Sequence, residues 1–143
     1  MEDDILKLKN QLCFPLYACA KEVVRQYKPF LDEIGLTYTQ YIAMMVLWEG
    51  KSMNVKSLGK HLYLDSGTLT PLIKKMEAQG LITRKRSLED ERNVIVSITQ
   101  KGEELKNDAI KVPMQIKKCI NITTEEAMTL YKLLYKILGQ INE

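Results

Sequence analysis

The chain has 143 residues, 45% of them hydrophobic and 27% charged, with 21 Lys and Arg against 18 Asp and Glu. A chain of this size buries about two thirds of its unfolded surface, so a single domain over residues 1–143 is expected to fold without staples, and disorder is not expected. Three cysteines (Cys13, Cys19 and Cys119) and a lone histidine, His61, exclude a disulfide framework, Cys/His zinc sites and Ser-His or Cys-His catalysis; no metal and no cofactor is expected.

No apolar run reaches the roughly 18 residues that span a membrane, and the acidic start MEDDILKLKNQ lacks the basic n-region of a signal peptide. A soluble cytoplasmic protein with no membrane partner is expected. Its charge is unevenly placed. Residues 1–50 hold 5 basic and 7 acidic side chains, residues 51–101 hold 10 and 5, and residues 102–143 hold 6 and 6. A central basic segment between neutral or acidic flanks is the footprint of a nucleic-acid reader, or else an ordinary solvated surface.

The stretch from Pro15 to Glu33 reads as a helix, with Pro15 in its first turn and Gly35 as its stop. Thr37 or Thr39 starts a second helix through Trp48, rich in large apolar residues at Tyr41, Ile42, Met45 and Val46. A short helix follows over Val55 to His61, then another from about Gly67 to Gln79, with Asp65 or Ser66 as N-cap and Gly80 as C-cap. Within it Leu69, Leu72, Ile73 and Met76 form one apolar stripe, and Pro71 is expected near the helix start.

After Gly80 the period switches to two. Leu81 to Arg86 and Val94 to Thr99 read as strands joined by the polar loop SLEDERN. Two helices finish the chain, from about Lys101 to Val112 and from Thr123 to Ile141. The second opens on a capping-box pattern, Thr123 to Glu126, and carries more apolar surface than one small domain can cover, which points to a second copy of the chain.

The expected fold is mainly α with a small β-hairpin wing: a winged helix-turn-helix over about residues 37–100, with dimerisation helices over about 11–34 and 101–143. The exposed side of the second helix of that motif carries Ser66, Thr68, Thr70, Lys74 and Lys75, suited to base edges and phosphates in a major groove, with Asp65 at its start. The hairpin adds Arg84, Lys85, Arg86 and Arg92. Arg92 near the tip suits a narrow minor groove, with Asp90 placed to orient its guanidinium. The alternative is an ordinary helical pair with a solvated hairpin; the ordered combination favours double-stranded DNA.

The segment LYLDSGTLTPLIKKMEAQGLITRKRSLEDERNVIVSITQKG, Leu62 to Gly102, resembles the winged-helix core of the MarR family of dimeric bacterial transcription regulators. With QLCFPLYACAKE, Gln11 to Glu22, and LTYTQY, Leu36 to Tyr41, the resemblance narrows to the organic-hydroperoxide-responsive, OhrR-type branch of repressors.

By position, Cys13 stands at a helix N-terminus, where unpaired N–H groups and the helix dipole favour thiolate; an inert buried cysteine is the other reading of that position. The resemblance implies that Cys13 senses organic hydroperoxide, and that Tyr27 and Tyr38 hydrogen-bond it from the other subunit's side of a homodimer interface. Those tyrosines could otherwise be plain core aromatics. Cys19, about 240° round the helix from Cys13, is expected to pack. Cys119 falls between the last two helices, near where two-cysteine members of the branch carry a resolving cysteine; otherwise an external thiol caps Cys13.

The resemblance thus implies a homodimeric repressor that releases operator DNA when Cys13 is oxidised. Two other readings stand beside it: a MarR-type regulator answering to a small aromatic or anionic ligand, and a thiol-dependent peroxidase. The second is disfavoured by the absence of a histidine near Cys13 and of any Cys-x-x-Cys.

Overall fold

A computed structural model describes residues 2–90 and 92–141. Glu91, within the DERN motif, and Asn142 and Glu143, at the end of the expected dimerisation region, lie outside the described residues. The chain forms two compact units, residues 1–112 and 113–143.

In the first unit, two short 3-10 turns, Glu2–Leu6 and Leu8–Asn10, lead to helix α1, Cys13–Asp32. Pro15 occupies its first turn, and Gly35 closes it with a φ of +72°. Among the described side chains of α1 only Leu31 is buried. Cys19, expected to pack, is instead exposed, because α1 stands off the core over most of its length.

Helix α2, Tyr38–Gly50, begins at a capping box: Thr37 Oγ1 accepts the Gln40 amide (3.3 Å), and Gln40 Oε1 accepts the Thr37 amide (3.0 Å). Tyr41, Ala43, Met44, Leu47 and Trp48 are buried. Ile42 and Val46 are half-buried, and Met45 is exposed, Met44 and Leu47 taking the inner face.

Strand β1, Ser52–Asn54, was not legible in the sequence, since three residues are too few to show alternation. Helix α3, Val55–Leu62, is capped by Asn54 Oδ1 on the Ser57 amide (2.7 Å), and α4, Ser66–Ala78, by Asp65 Oδ1 on the Thr68 amide (2.8 Å). Strands β2, Ile82–Arg86, and β3, Val94–Ile98, pair antiparallel, and β1 joins the other edge of β3 to give the order β1-β3-β2. Helix α5, Gln100–Ala109, is capped by Thr99 Oγ1 on the Gly102 amide (3.0 Å).

The apolar stripe of α4 is buried at all four expected positions, Leu69, Leu72, Ile73 and Met76, in one cluster with Met44, Leu47, Leu58, Ile82 and Val96. Each such side chain contributes about 1.5–3 kcal/mol through removal from water. Pro71, expected near the helix start, is the sixth residue of α4, in its second turn. The amide it lacks is the one that would reach the Gly67 carbonyl; beside it, Thr70 Oγ1 donates to the Ser66 carbonyl (2.8 Å).

After α5, a helix absent from the sequence reading, α6, spans Val112–Cys119. Pro113, as second residue of α6, occupies a helix start, where no amide is needed. Cys119 accordingly ends α6 rather than lying free in a connection, and its thiol donates to the Gln115 carbonyl (3.6 Å).

In the second unit, α7, Thr124–Ile141, opens on the expected capping box: Glu126 Oε1 accepts the Thr123 amide (2.9 Å), and Thr123 Oγ1 accepts the Glu126 amide (3.1 Å). None of its described residues is buried. Met128, Leu130, Leu133 and Ile141 are exposed beside the Tyr131 and Tyr135 rings, which stand 4.7 Å apart one helical turn from each other.

Candidate DNA interface and thiol site

Helices α3 and α4 meet across a tight turn, and a glycine makes the approach possible. A Cβ on Gly59 would stand 2.7 Å from Leu69 Cδ1 and 2.8 Å from the Leu64 carbonyl oxygen. Tyr63, in the left-handed region at φ 56°, turns the chain, and the Leu64 amide closes it onto the Gly59 carbonyl (3.0 Å). With the stripe of α4 buried, its other side is committed to solvent. Ser66, Thr68, Thr70, Lys74 and Lys75 are all exposed there.

Asp65 is exposed, and its carboxylate is engaged at the cap. The Thr68 amide bond holds its carboxyl below the usual range, so an anion sits at the positive end of α4. Thr70 likewise has its hydroxyl proton on the Ser66 carbonyl, leaving lone pairs to accept.

Strand β2 carries Arg84, Lys85 and Arg86, all exposed. Arg84 is already engaged: its Nε and Nη2 donate to one Glu77 oxygen of α4 at 3.1 and 2.9 Å, and that guanidinium holds the Glu77 carboxyl below its usual range. This pair fastens the wing to the helix. The sequence reading missed Glu77, which lies one residue past Met76 at the edge of the stripe.

At the wing tip Asp90 does not act as expected. Its Oδ1 accepts the backbone amide of Arg92 (3.0 Å), so it orients the loop backbone rather than the guanidinium. The reason is local: a carboxylate two residues before an amide closes an Asx turn without ordering a long side chain. The Asn93 amide on the Asp90 carbonyl (2.9 Å) and the Ser87 amide on the Asn93 carbonyl (2.7 Å) complete the tip, and Arg92 is exposed on it.

Cys13 is the first residue of α1 and is exposed. Tyr27 lies fourteen residues further on, about 21 Å along the helix axis at 1.5 Å per residue. The Tyr27 ring is 4.9 Å from Tyr38 and 5.9 Å from Tyr41, and Tyr38 is 6.4 Å from Tyr41. The two tyrosines named from the sequence, one on α1 and one opening α2, are therefore together, and the thiol is at the start of α1, away from them.

Burial, and then the neighbouring Tyr38 and Tyr41, push the Tyr27 phenol up to about 12. Burial raises Tyr38 and Tyr41 as well. All three are neutral O–H donors at physiological pH. Tyr41 was missed as a member, although its spacing of three from Tyr38 places both on one helix face.

Among the described residues no group of three or more His, Cys, Asp or Glu side chains is arranged to hold a metal, and no helix is long and apolar enough to cross a membrane. An open cleft of about 440 Å³ lies between the α1–α2 turn and α5, floored by Ile34, Leu81 and Leu105.

Comparison with known proteins gives these features a context. A family model described as transcriptional regulator SarA/Rot matches residues 25–109. The organic hydroperoxide resistance transcriptional regulator of Bacillus subtilis (strain 168) is 49% identical over 140 residues, which cover 98% of this chain and 95% of the relative. Among solved structures, reduced AbfR bound to DNA is 31% identical, covers 100% of both chains and has a TM-score of 0.81. AbfR, from Staphylococcus epidermidis, is also known in a disulfide form, 31% identical over 100% of this chain and 98% of that one with a TM-score of 0.68, and in an overoxidised form bound to DNA. These relatives are transcriptional regulators, not enzymes.

Proposed function

We propose a redox mechanism for this chain from the premise that it belongs to the family of MarR- and SarA-type winged-helix transcriptional regulators, DNA-binding proteins of the organic-hydroperoxide-regulator kind. It acts as a homodimeric repressor that holds operator DNA while Cys13 is reduced and releases it when an organic hydroperoxide oxidises that thiol.

One observation carries this reading. Cys13 opens α1, and Tyr27, whose ring meets that of Tyr38 on α2, lies in the second half of α1, so within one chain the thiol and Tyr27 are about 21 Å apart along the axis. A second copy, running antiparallel along α1, brings its tyrosine pair to this thiol. The exposed apolar residues of α7 support the same two-fold arrangement.

In the sensing step the Cys13 thiolate attacks the outer peroxide oxygen. An S–O bond forms, the O–O bond breaks, and the alkoxide leaves and takes up a proton as the alcohol. The phenol protons of Tyr27 and Tyr38 hydrogen-bond the sulfur without bringing a full charge to it. A second thiol, Cys119 or a small external one, then attacks the sulfenic sulfur, forming a disulfide and releasing water. An overoxidised AbfR is found bound to DNA and another AbfR form carries a disulfide, which supports the disulfide as the releasing state.

On DNA, α4 enters the major groove with Ser66, Thr68 and Thr70 toward base edges or phosphates and Lys74 and Lys75 toward phosphates, Asp65 holding its first turn. Lys85, Arg86 and Arg92 follow the backbone and minor groove, with Arg84 holding the wing and Asp90 shaping its tip. Two such units on a dimer space the α4 helices one DNA turn apart, a spacing that a cross-link or an added thiol at the dimer interface disfavours.

Intact-mass analysis under non-reducing conditions tests the chemistry. After one equivalent of organic hydroperoxide per reactive thiol, a Cys13–Cys119 disulfide, or a mixed disulfide on Cys13 when a small thiol is present, is expected. Catalytic turnover of peroxide, or an unmodified Cys13, contradicts it.

A further inference from the structure

Among the described buried residues, Gln40 is the polar one, 4% exposed. Its Oε1 is taken by the Thr37 amide (3.0 Å), and its Nε2 donates to Gln79 Oε1 (3.1 Å). Gln79 in turn donates Nε2 to the Gly35 carbonyl (2.9 Å). One side chain at the C-cap of α4 thus grips the α1–α2 turn on both sides of Tyr38.

The backbone of that C-cap is held from a third direction. Lys101 Nζ donates to the Gln79 carbonyl (2.7 Å), and Thr99 Oγ1 donates to the Gly80 carbonyl (2.6 Å), both from the start of α5. Elsewhere α2 and α4 both bury side chains in the apolar cluster, whose attraction is non-directional. Hydrogen bonds are directional, so the glutamine pair is where the position of the Tyr38 turn becomes the position of α4.

We propose that Gln79 is a positioning residue for DNA release: its amide transmits displacement of the Tyr38 turn to the end of the DNA-reading helix. The proposal rests on the oxidation-sensing function given above. When Tyr38 rearranges around the modified Cys13, Gly35 and Gln40 move with it, and the two amide bonds drag α4 out of register with the groove. A helix held by apolar packing alone keeps its place.

The test compares wild type with Gln79→Met, which keeps the length and loses both amide bonds, and Gln79→Glu, which accepts from Gln40 but cannot donate to Gly35. The probe is a duplex selected by the reduced wild-type protein from a random-sequence library. The readout is the ratio of oxidised to reduced Kd, with Cys13 modification followed by mass. A structural role alone would not move that ratio.

For the wild type a ratio within the ordinary range of allosteric coupling, about 5- to 150-fold, is expected. In both variants the reduced Kd stays within about threefold of wild type, Cys13 is oxidised equally, and the ratio falls towards one. Equal ratios in wild type and variants overturn the role of Gln79, as does loss of binding by the reduced variants. A wild-type ratio of one overturns the sensing reading itself, and the relay with it.

Discussion

Arg84 on β2 gives Nε and Nη2 to a single carboxylate oxygen of Glu77 on α4, at 3.1 and 2.9 Å. The hairpin and α4 are joined by a charge pair in which the guanidinium already faces an anion. Lys74 and Lys75, exposed on α4, are the proposed phosphate contacts. Each phosphate neutralised contributes about 0.9 to the slope of log K against log salt. Lys74→Gln is therefore expected to lower that slope by about two per dimer, and Arg84→Gln by less than half as much. Equal losses, measured by anisotropy titrations over a salt series, would show that Arg84 leaves Glu77 for the DNA.

Among the glycines, Gly102 meets the closest approach. A Cβ there would stand 2.3 Å from the Leu81 carbonyl oxygen and 2.8 Å from Ile98 Cγ1, and the Gly102 carbonyl takes the Trp48 indole N–H at 2.8 Å. In an open helix, alanine in place of glycine gains roughly 0.5–1 kcal/mol. Here the clash with a backbone atom reverses the sign, and Gly102→Ala is expected to cost about 1–3 kcal/mol, a fall of roughly 5–10 °C in Tm. An unchanged or raised Tm in thermal unfolding would refute the packing argument.

The cap of α4 carries a pH signature. Asp65 is held below its usual range by the Thr68 amide, so the unfolded chain takes up the proton near pH 4 while the folded chain takes it lower. The cap's contribution is complete above about pH 4 and is lost as the pH falls through the folded value. Asn caps equally well without titrating. Asp65→Asn should therefore show a shallower decline of Tm between about pH 5 and about pH 2, with little change at neutral pH; parallel curves would assign the acid sensitivity elsewhere.

Much of this was legible in the sequence because the signals are local. The period of α4, the caps and the change of period after Gly80 each depend on a few adjacent residues; the structure bears out the period and the Thr123 cap and, of the alternatives read, takes Thr37 over Thr39 and Asp65 over Ser66. What escaped depends on partners distant in sequence or on too few residues. β1 is a strand only because Ser52–Asn54 lies against Asn54's partner Ile95 and its neighbours on β3. Glu77 and Gln79 acquire their roles from Arg84 and Gln40, seven and thirty-nine residues away. At Asp90 the residue was singled out and its partner was misread, since backbone and side chain of Arg92 compete for one carboxylate.

The tyrosine cluster has an alkaline signature of opposite sign. An unfolded tyrosine ionises near 10, and Tyr27, desolvated and beside two other phenols, ionises at about 12. Between those values the folded chain keeps a proton that the unfolded chain has lost, so stability is full below pH 10 and declines from there to pH 12. Tyr27→Phe should flatten that decline and remove the latest step from the tyrosinate absorbance titration. A wild-type titration with every tyrosine ionising near 10 would contradict the desolvated cluster.

The role of Cys13 is tested most directly by DNA affinity before and after organic hydroperoxide, in wild type and in Cys13→Ser, on a duplex selected by the reduced protein. The serine variant should bind with the affinity of the reduced wild type and hold the duplex after treatment, while the wild type releases it and rebinds when a thiol reductant is added. Release of equal extent from Cys13→Ser, or no release from the wild type, would contradict the assignment of Cys13 as the sensing thiol.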